Sequence, residues 1–259
     1  MSLLDHFHKD EHPFVERVLE MIGRVENRMV TVRTDFLDPG QVFIVQSLVK
    51  RSHGVFFSFF GGYDGAERVR VILYPEYQEP EQEDFGMKGL EISGGGGSYL
   101  TLDHRDYLGA LLGLGIRREK CGDILVHEGF AQLLLGEEIV DYVRLQLTKV
   151  NKVTVEGKEI PLGQIQQVAK TGKTITFTVQ SPRLDAILGD VFRLSRAKVL
   201  QPIRNGRVKV NWRTGTDPSW LLKEGDTISF KGFGRFQVLS LGKETRKGRI
   251  PVEIFLYGG

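Results

Sequence analysis

Disulfide chemistry is missing from this chain. Cys121 is the one cysteine among 259 residues, so an intramolecular disulfide is excluded and with it a stapled secreted scaffold. A reducing cytoplasm is the simplest setting. Long apolar runs are missing too: nothing approaches the roughly 18 apolar residues of a spanning helix. The opening residues include Asp5, His6, His8, Lys9, Asp10 and Glu11, without the apolar core of a signal peptide. The expectation is a soluble, cytoplasmic protein with no membrane partner. An excess of charge is also lacking, because 35 Lys and Arg face 33 Asp and Glu for a net of +2. Taken whole, that balance argues against a nucleic-acid partner.

Several catalytic signatures are absent as well. No Gly-x-x-x-x-Gly-Lys-Ser/Thr phosphate loop occurs. Gly94 to Gly97 follows Ile92-Ser93, yet lacks the acid and the following helix that a nucleotide-binding turn needs, and reads as a flexible turn. His6, His8 and His12 have no cysteine or carboxylate spacing that completes a metal site. Cys121 adjoins Lys120, but in its β-rich setting it reads as structural. Asp103, His104 and Asp106 read as helix capping with no nucleophile beside them. No metal and no cofactor are expected.

What is present is an uneven distribution. Hydrophobic residues at 41% and charged residues at 26% suit a globular chain, long enough for two domains or three small ones. Residues 181–259 hold 15 basic and 7 acidic side chains, a net of +8, which leaves −6 on residues 1–180. A basic module on an acidic body points to a polyanionic partner for the module.

Periodicity divides the rest. In residues 1–75, Val15, Val18, Leu19, Ile22 and Val25 mark an amphipathic helix, and Arg28 to Thr34 alternates as a strand. Phe36-Leu37-Asp38-Pro39-Gly40 opens a second helix to about Lys50; Val55–Phe60 and Arg68–Leu73 read as paired strands. Tyr74 to Asp84 reads as a linker. In residues 76–180, Leu100 to Leu102 ends a strand and Asp103 caps a helix through Leu112, with Asp106 completing the box. Ile124–His127, Ala131–Leu135 and Val153–Val155 read as strands, Glu137–Thr148 as a helix, and Thr174–Gln180 as a further β-like run. The order β-α-β-β-α-β predicts a ferredoxin-like fold. The fold class is α+β: an N-terminal α/β domain, a ferredoxin-like middle domain and a basic C-terminal domain.

In residues 181–259, Leu184, Ile187, Leu188 and Val191 share one helical face. Ser195 caps a second helix carrying Val199, Leu200 and Ile203, with Pro202 predicting a kink or early stop and Asn205-Gly206 the exit. Val208 and Val210 face inward on a strand, and Arg207, Lys209 and Asn211 outward. Arg193, Ser195, Arg196 and Lys198 cluster around the second helix start, where free N–H groups also attract phosphate. Arg204, Arg207, Lys209, Lys231 and Arg235 extend the positive surface, continued by Lys243, Arg246, Lys247 and Arg249. Trp212, Trp220, Phe233 and Phe236 could stack on bases, with core packing the favoured assignment for most of them. Arg117, Arg118 and Lys120 form a possible second RNA patch.

Arg183-Leu184-Asp185, Ser195-Arg196, Asn205-Gly206-Arg207-Val208-Lys209-Val210-Asn211, Leu222 and Gly225-Asp226-Thr227-Ile228 resemble the S4-type RNA-binding domain. The resemblance implies two helices on a small sheet, assigns RNA contact to Arg183, Arg196, Lys198, Arg207, Lys209 and Asn211, and makes Asp185 an orienting group. Asn211-Trp212 departs from the more usual Asn-Gly. Upstream, Phe36-Leu37-Asp38-Pro39, Gly61-Gly62-Tyr63, Ala66-Glu67-Arg68, the run from His104 to Leu111, and Arg118-Glu119-Lys120-Cys121-Gly122-Asp123 extend the likeness over nearly the whole chain. Together they resemble the YlmH-type proteins, including the cyanobacterial and plastid photosystem II S4 domain proteins. The resemblance implies a non-enzymatic factor on large-subunit ribosomal RNA, with tRNA nearby, in rescue of subunits obstructed by peptidyl-tRNA.

The rival readings are an RNA-modifying enzyme and a ribosome assembly factor. A pseudouridine synthase would need Arg-Leu-Asp-x-x-Thr-Ser-Gly, whereas Arg183-Leu184-Asp185 continues as Ala186-Ile187-Leu188-Gly189. No heptad or long apolar stripe advertises an interface, so a monomer is expected.

Overall fold

The computed structural model describes residue 4 and residues 7–94, 102–169 and 172–258. The chain forms two compact units, Met1–Val168 and Ala169–Gly259.

The first unit begins with α1 (His12–Arg28), whose buried stripe is Val15, Val18, Ile22 and Val25. Met29 turns the chain at φ 53°, so the strand expected over Arg28–Thr34 shrinks to β1 (Val32–Arg33). Asp38 caps α2 (Pro39–Val49): it accepts from Gln41 N at 2.9 Å while the Gln41 side chain accepts from Asp38 N, with proline in the first turn. β2 (Val55–Phe60) and β3 (Arg70–Pro75) complete an antiparallel sheet of order β1-β3-β2. The middle strand β3 is buried on both faces. Val71 and Leu73 join the core of the two helices, while Ile72 points into a second core with Phe36, Phe85, Met87, Leu125 and Leu134. That second core fuses the segments expected as separate domains 1–75 and 76–180.

The ferredoxin-like order holds in the rest of this unit. β4 (Met87–Gly94), α3 (His104–Gly113), β5 (Cys121–Val126), β6 (Phe130–Gly136), α4 (Glu137–Gln146), the short β7 (Lys149–Val150) and β8 (Val153–Ile160) make an antiparallel sheet of order β5-β6-β4-β8-β7. Its first strand is β4, placed earlier than expected: Leu102 lies outside any strand, and residues 100 and 101 fall outside the described residues, as do 95–97 of the glycine run. The Asp103–Asp106 capping box forms at the start of α3.

The second unit starts before the expected cut at residue 181. β9 (Gly172–Val179) pairs along its full length with β14 (Ile250–Tyr257), from Gly172↔Tyr257 to Val179↔Ile250. The boundary therefore falls at 168/169, and β9 belongs to the basic unit. Between them come α5 (Leu184–Phe192), α6 (Arg196–Arg204), β10 (Val208–Val210), β11 (Arg213–Thr214), β12 (Thr227–Phe230) and β13 (Gly234–Leu241). The antiparallel sheet has order β11-β10-β12-β13-β14-β9. Leu184, Ile187, Leu188, Val199 and Ile203 of the helices pack on Val208, Val210, Ile228, Phe230, Phe236 and Ile254 of its inner face. Of the kink or early stop expected at Pro202, the stop does not occur: helix α6 runs through Pro202 to Arg204. The N–H that proline lacks would have bonded the Lys198 carbonyl, and Lys198 is exposed, so water can serve that carbonyl.

Candidate nucleic-acid interface

The basic side chains of the second unit divide into two groups. The first gathers where both helices begin. Arg183 occupies the N-cap position of α5 and Ser195 that of α6; neither makes a capping side-chain bond. Asp185 lies between the two starts, 5% exposed. Its Oδ1 accepts from Arg183 Nε at 3.2 Å and from Ala186 N at 3.0 Å, while its Oδ2 stands 3.5 Å from Arg196 Nη2. A buried carboxylate is costly unless paired, and here the pairing restrains two guanidiniums beside helix N-termini. Arg193 leaves α5 at φ 52°, and Arg193, Ser195, Arg196 and Lys198 are all exposed.

The second group lies across the sheet face opposite the helices. Lys209 pairs with Ser229, and Ser229 with Arg235. Their strand neighbours Val208, Val210, Ile228, Phe230 and Phe236 are buried inward, so alternation turns Lys209, Ser229 and Arg235 outward in one row. Arg207 and Lys231 flank this row at the strand ends, joined by Lys231 N donating to the Arg207 carbonyl at 2.9 Å. Arg204 lies in the last turn of α6, away from the helix starts, where a cation suits the dipole.

Other expected contacts are engaged within the fold. Asn211 donates its amide to Asp226 Oδ1 at 2.7 Å and accepts from Thr227 N at 2.9 Å, so its side chain holds a turn to β12. In the first unit, Arg118 Nη1 donates to the carbonyls of Cys121 and Gly122 at 2.7 and 3.0 Å. Lys120 Nζ bridges Asp35 at 2.5 Å and Glu138 at 2.9 Å, and Arg117 stands 3.4 Å from Glu119. Lys120 thus ties α4 to the segment before α2, Arg118 holds the local turn into β5, and Arg117 is the outermost of the three, 67% exposed.

The same clamp explains much of the upstream motif. Asp123 accepts from Tyr63 Oη at 2.8 Å and from the N–H groups of Glu67 and Arg68 at 2.7 and 3.1 Å. Arg68 reaches the carbonyls of Cys121 and Phe36. Burial, then the Asp123 charge and hydrogen bond, push the Tyr63 hydroxyl pKa well above its ordinary range. Burial also pushes the Cys121 thiol up to about 11, outweighing the nearby Arg118 and Arg68, which fits a structural residue. His12 contacts the Phe7 carbonyl and His8 caps a short turn; His6 is outside the described residues. Among the described residues no group of three or more His, Cys, Asp or Glu is placed to hold a metal ion.

Of the four aromatics assigned to packing, Phe236 is fully buried and Trp220 borders the core. Phe233 is 48% exposed and stacks on Phe230 at 4.3 Å. Trp212 is half-buried beside Arg235, 5.7 Å from guanidinium carbon to ring centroid. The available signal was its position: a tryptophan in a hairpin turn has no inward direction to take.

Two helices over a small sheet, with paired arginines at the helix starts, define an S4-type RNA-binding protein carrying a ferredoxin-like domain upstream. Family models agree: residues 182–228 match the S4 domain, 80–164 the "Putative RNA-binding domain in YlmH" and 10–78 the YlmH N-terminal domain. The chain belongs to the YlmH family. It is 38% identical over 248 residues, 96% of each chain, to the ribosome-associated protein quality control protein P2 of Bacillus subtilis (strain 168). It also resembles the solved structure of the cell division protein ylmH from Streptococcus pneumoniae, at 29% identity and TM-score 0.54, covering 61% of this chain and 96% of that one.

Proposed function

We propose that this protein is a non-catalytic RNA-binding factor of the cytoplasm that docks as a monomer on ribosomal RNA of the large subunit. There it serves quality control of subunits obstructed by peptidyl-tRNA, with tRNA as a neighbouring contact. The observation that carries the reading is the Asp185 clamp on Arg183 and Arg196, because it presents restrained guanidinium forks at two helix starts in an S4 domain. The name of the Bacillus subtilis relative, a ribosome-associated quality control protein, supports the ribosomal setting. Arg193, Ser195, Lys198, Arg207, Lys209, Lys231 and Arg235 supply further contacts.

The test is cosedimentation with purified large subunits across a salt series. Arg196→Ala and Lys209→Ala should each weaken binding and flatten the log–log salt slope by about 0.7–0.9 per lost phosphate contact. Unchanged affinity and slope in both variants would remove the proposed surface. Preferential sedimentation with immature subunits would instead favour an assembly factor. A ribosomal RNA modification missing from cells that lack the protein, read by mass spectrometry, would favour an enzyme.

A further inference from the structure

Trp212 is the side chain that phosphate binding leaves unexplained. It occupies the second position of the two-residue turn between β10 and β11, closed by the Val210↔Arg213 pair. Asn211 and Trp212 have φ of 48° and 64°, the double left-handed turn in which glycine is the natural second residue. A bulky residue there is disfavoured, and such positions persist where the surroundings or a function compensate. The core does not compensate: Val210, Ile228 and Phe236 fill the inner face, and Trp212 is absent from that cluster. The indole instead sits beside Arg235, in the outward row with Ser229 and Lys209.

We propose that Trp212 and Arg235 form a stacking platform for an unpaired nucleobase, with Lys209 taking the adjoining phosphate. This rests on the RNA-binding reading and adds which part of the RNA the sheet face takes. A base inside a duplex already has both faces stacked and offers only its edge; a loop, bulge or extruded base can lie flat on an indole or a guanidinium plane. The platform therefore selects unpaired nucleotides, while the arginines at the helix starts hold backbone phosphate in any fold of RNA.

The experiment uses the full chain with Trp220→Phe, which leaves Trp212 as the one remaining indole. A short RNA hairpin with an open purine loop and the same stem as a blunt duplex are titrated in parallel. The hairpin should quench Trp212 fluorescence and the duplex should not. In the otherwise native chain, Trp212→Gly should lower hairpin affinity about 5- to 150-fold. It should leave duplex affinity unchanged and keep or raise Tm, since glycine suits the turn. Trp212→Phe should recover part of the hairpin affinity. Arg196→Ala should weaken both RNAs alike. Hairpin binding that is sensitive to Arg196→Ala but causes no quenching and survives Trp212→Gly would overturn the platform and leave the RNA reading standing. A fall in Tm for Trp212→Gly with unchanged affinity would make Trp212 a turn-stabilising residue and overturn it too. Failure of the native chain to bind either RNA would overturn both.

Discussion

Asp185 and Glu138 illustrate two uses of a carboxylate among arginines and lysines. Asp185 is buried on a basic face, and its partners Arg183 and Arg196 show the compensation: its carboxylate holds two forks near one geometry, which is the arrangement the proposed phosphate contacts require. Glu138 belongs to the internal clamp, receiving Arg70 Nη2 and Lys120 Nζ, each at 2.9 Å. Burial raises its pKa, but the Lys120 hydrogen bond, the bond from its own backbone N–H, and the Arg70 charge and hydrogen bond outweigh that and hold it at about 2, from an ordinary 4.5. A depressed folded-state pKa stabilises fully above the unfolded value and is lost as pH falls towards the folded one. The stability gap between the native chain and Glu138→Gln should thus be full at neutral pH, shrink below pH 4.5 and vanish near pH 2. Because Glu138 is 38% exposed, water screens the pair, and the gap should be on the order of 1 kcal/mol. Urea denaturation of both proteins across that range checks it; a gap that widens with acid would refute the assignment.

At the scale of elements, the strand β9 carries the most direct prediction. It covers the edge of β14 with a continuous register from residue 172 to 179, and Phe177 and Ile175 pack against the core. A fragment of residues 169–259 should fold cooperatively. A fragment of residues 181–259, which is where composition and helical period suggest a cut, should lose several kcal/mol, on the order of 2–5, as β14 becomes an open edge and its apolar cover goes. Thermal unfolding followed by circular dichroism distinguishes them, and equal Tm values would show that β9 is dispensable. The helices were legible because capping and period are local: Asp38, Asp103 and the Val15–Val25 stripe each act within a few residues. β4 was missed because its alternating apolar pair, Leu90 and Ile92, is short and flanked by Gly89 and Gly94, and its pairing with β6 and β8 is distant in sequence. The partner of β9 lies more than seventy residues downstream, beyond any local signal.

For the whole molecule, the relocated boundary sharpens the charge division. Residues 169–259 hold 17 basic and 7 acidic side chains, a net of +10, and residues 1–168 carry −8. An acidic unit tethered to a basic one lowers the average potential that RNA meets at long range, which suppresses sequence-independent binding. The isolated 169–259 unit should therefore bind homopolymer RNA more tightly than the full chain at low salt. The difference should fade near 1 M salt, where charges are screened beyond about 3 Å. Fluorescence anisotropy over a salt series measures both; equal affinities at low salt would remove this role for the acidic unit.

The sequence by itself determined the α+β class, the S4 motif, the basic segment and the helix caps, because those depend on composition and on residues close along the chain. Only the tertiary structure decided which basic side chains remain outward. Lys120 and Arg118 look like Arg196 and Lys209 in sequence, yet the first pair is drawn into a clamp by Asp35, Glu138 and backbone carbonyls. Asn211 is likewise turned to Asp226 and Thr227, while Trp212 beside it is placed next to Arg235. The physical reason is that a charge or ring takes its role from the groups brought within a few ångströms of it. Strand pairing and shared cores bring them from dozens of residues away.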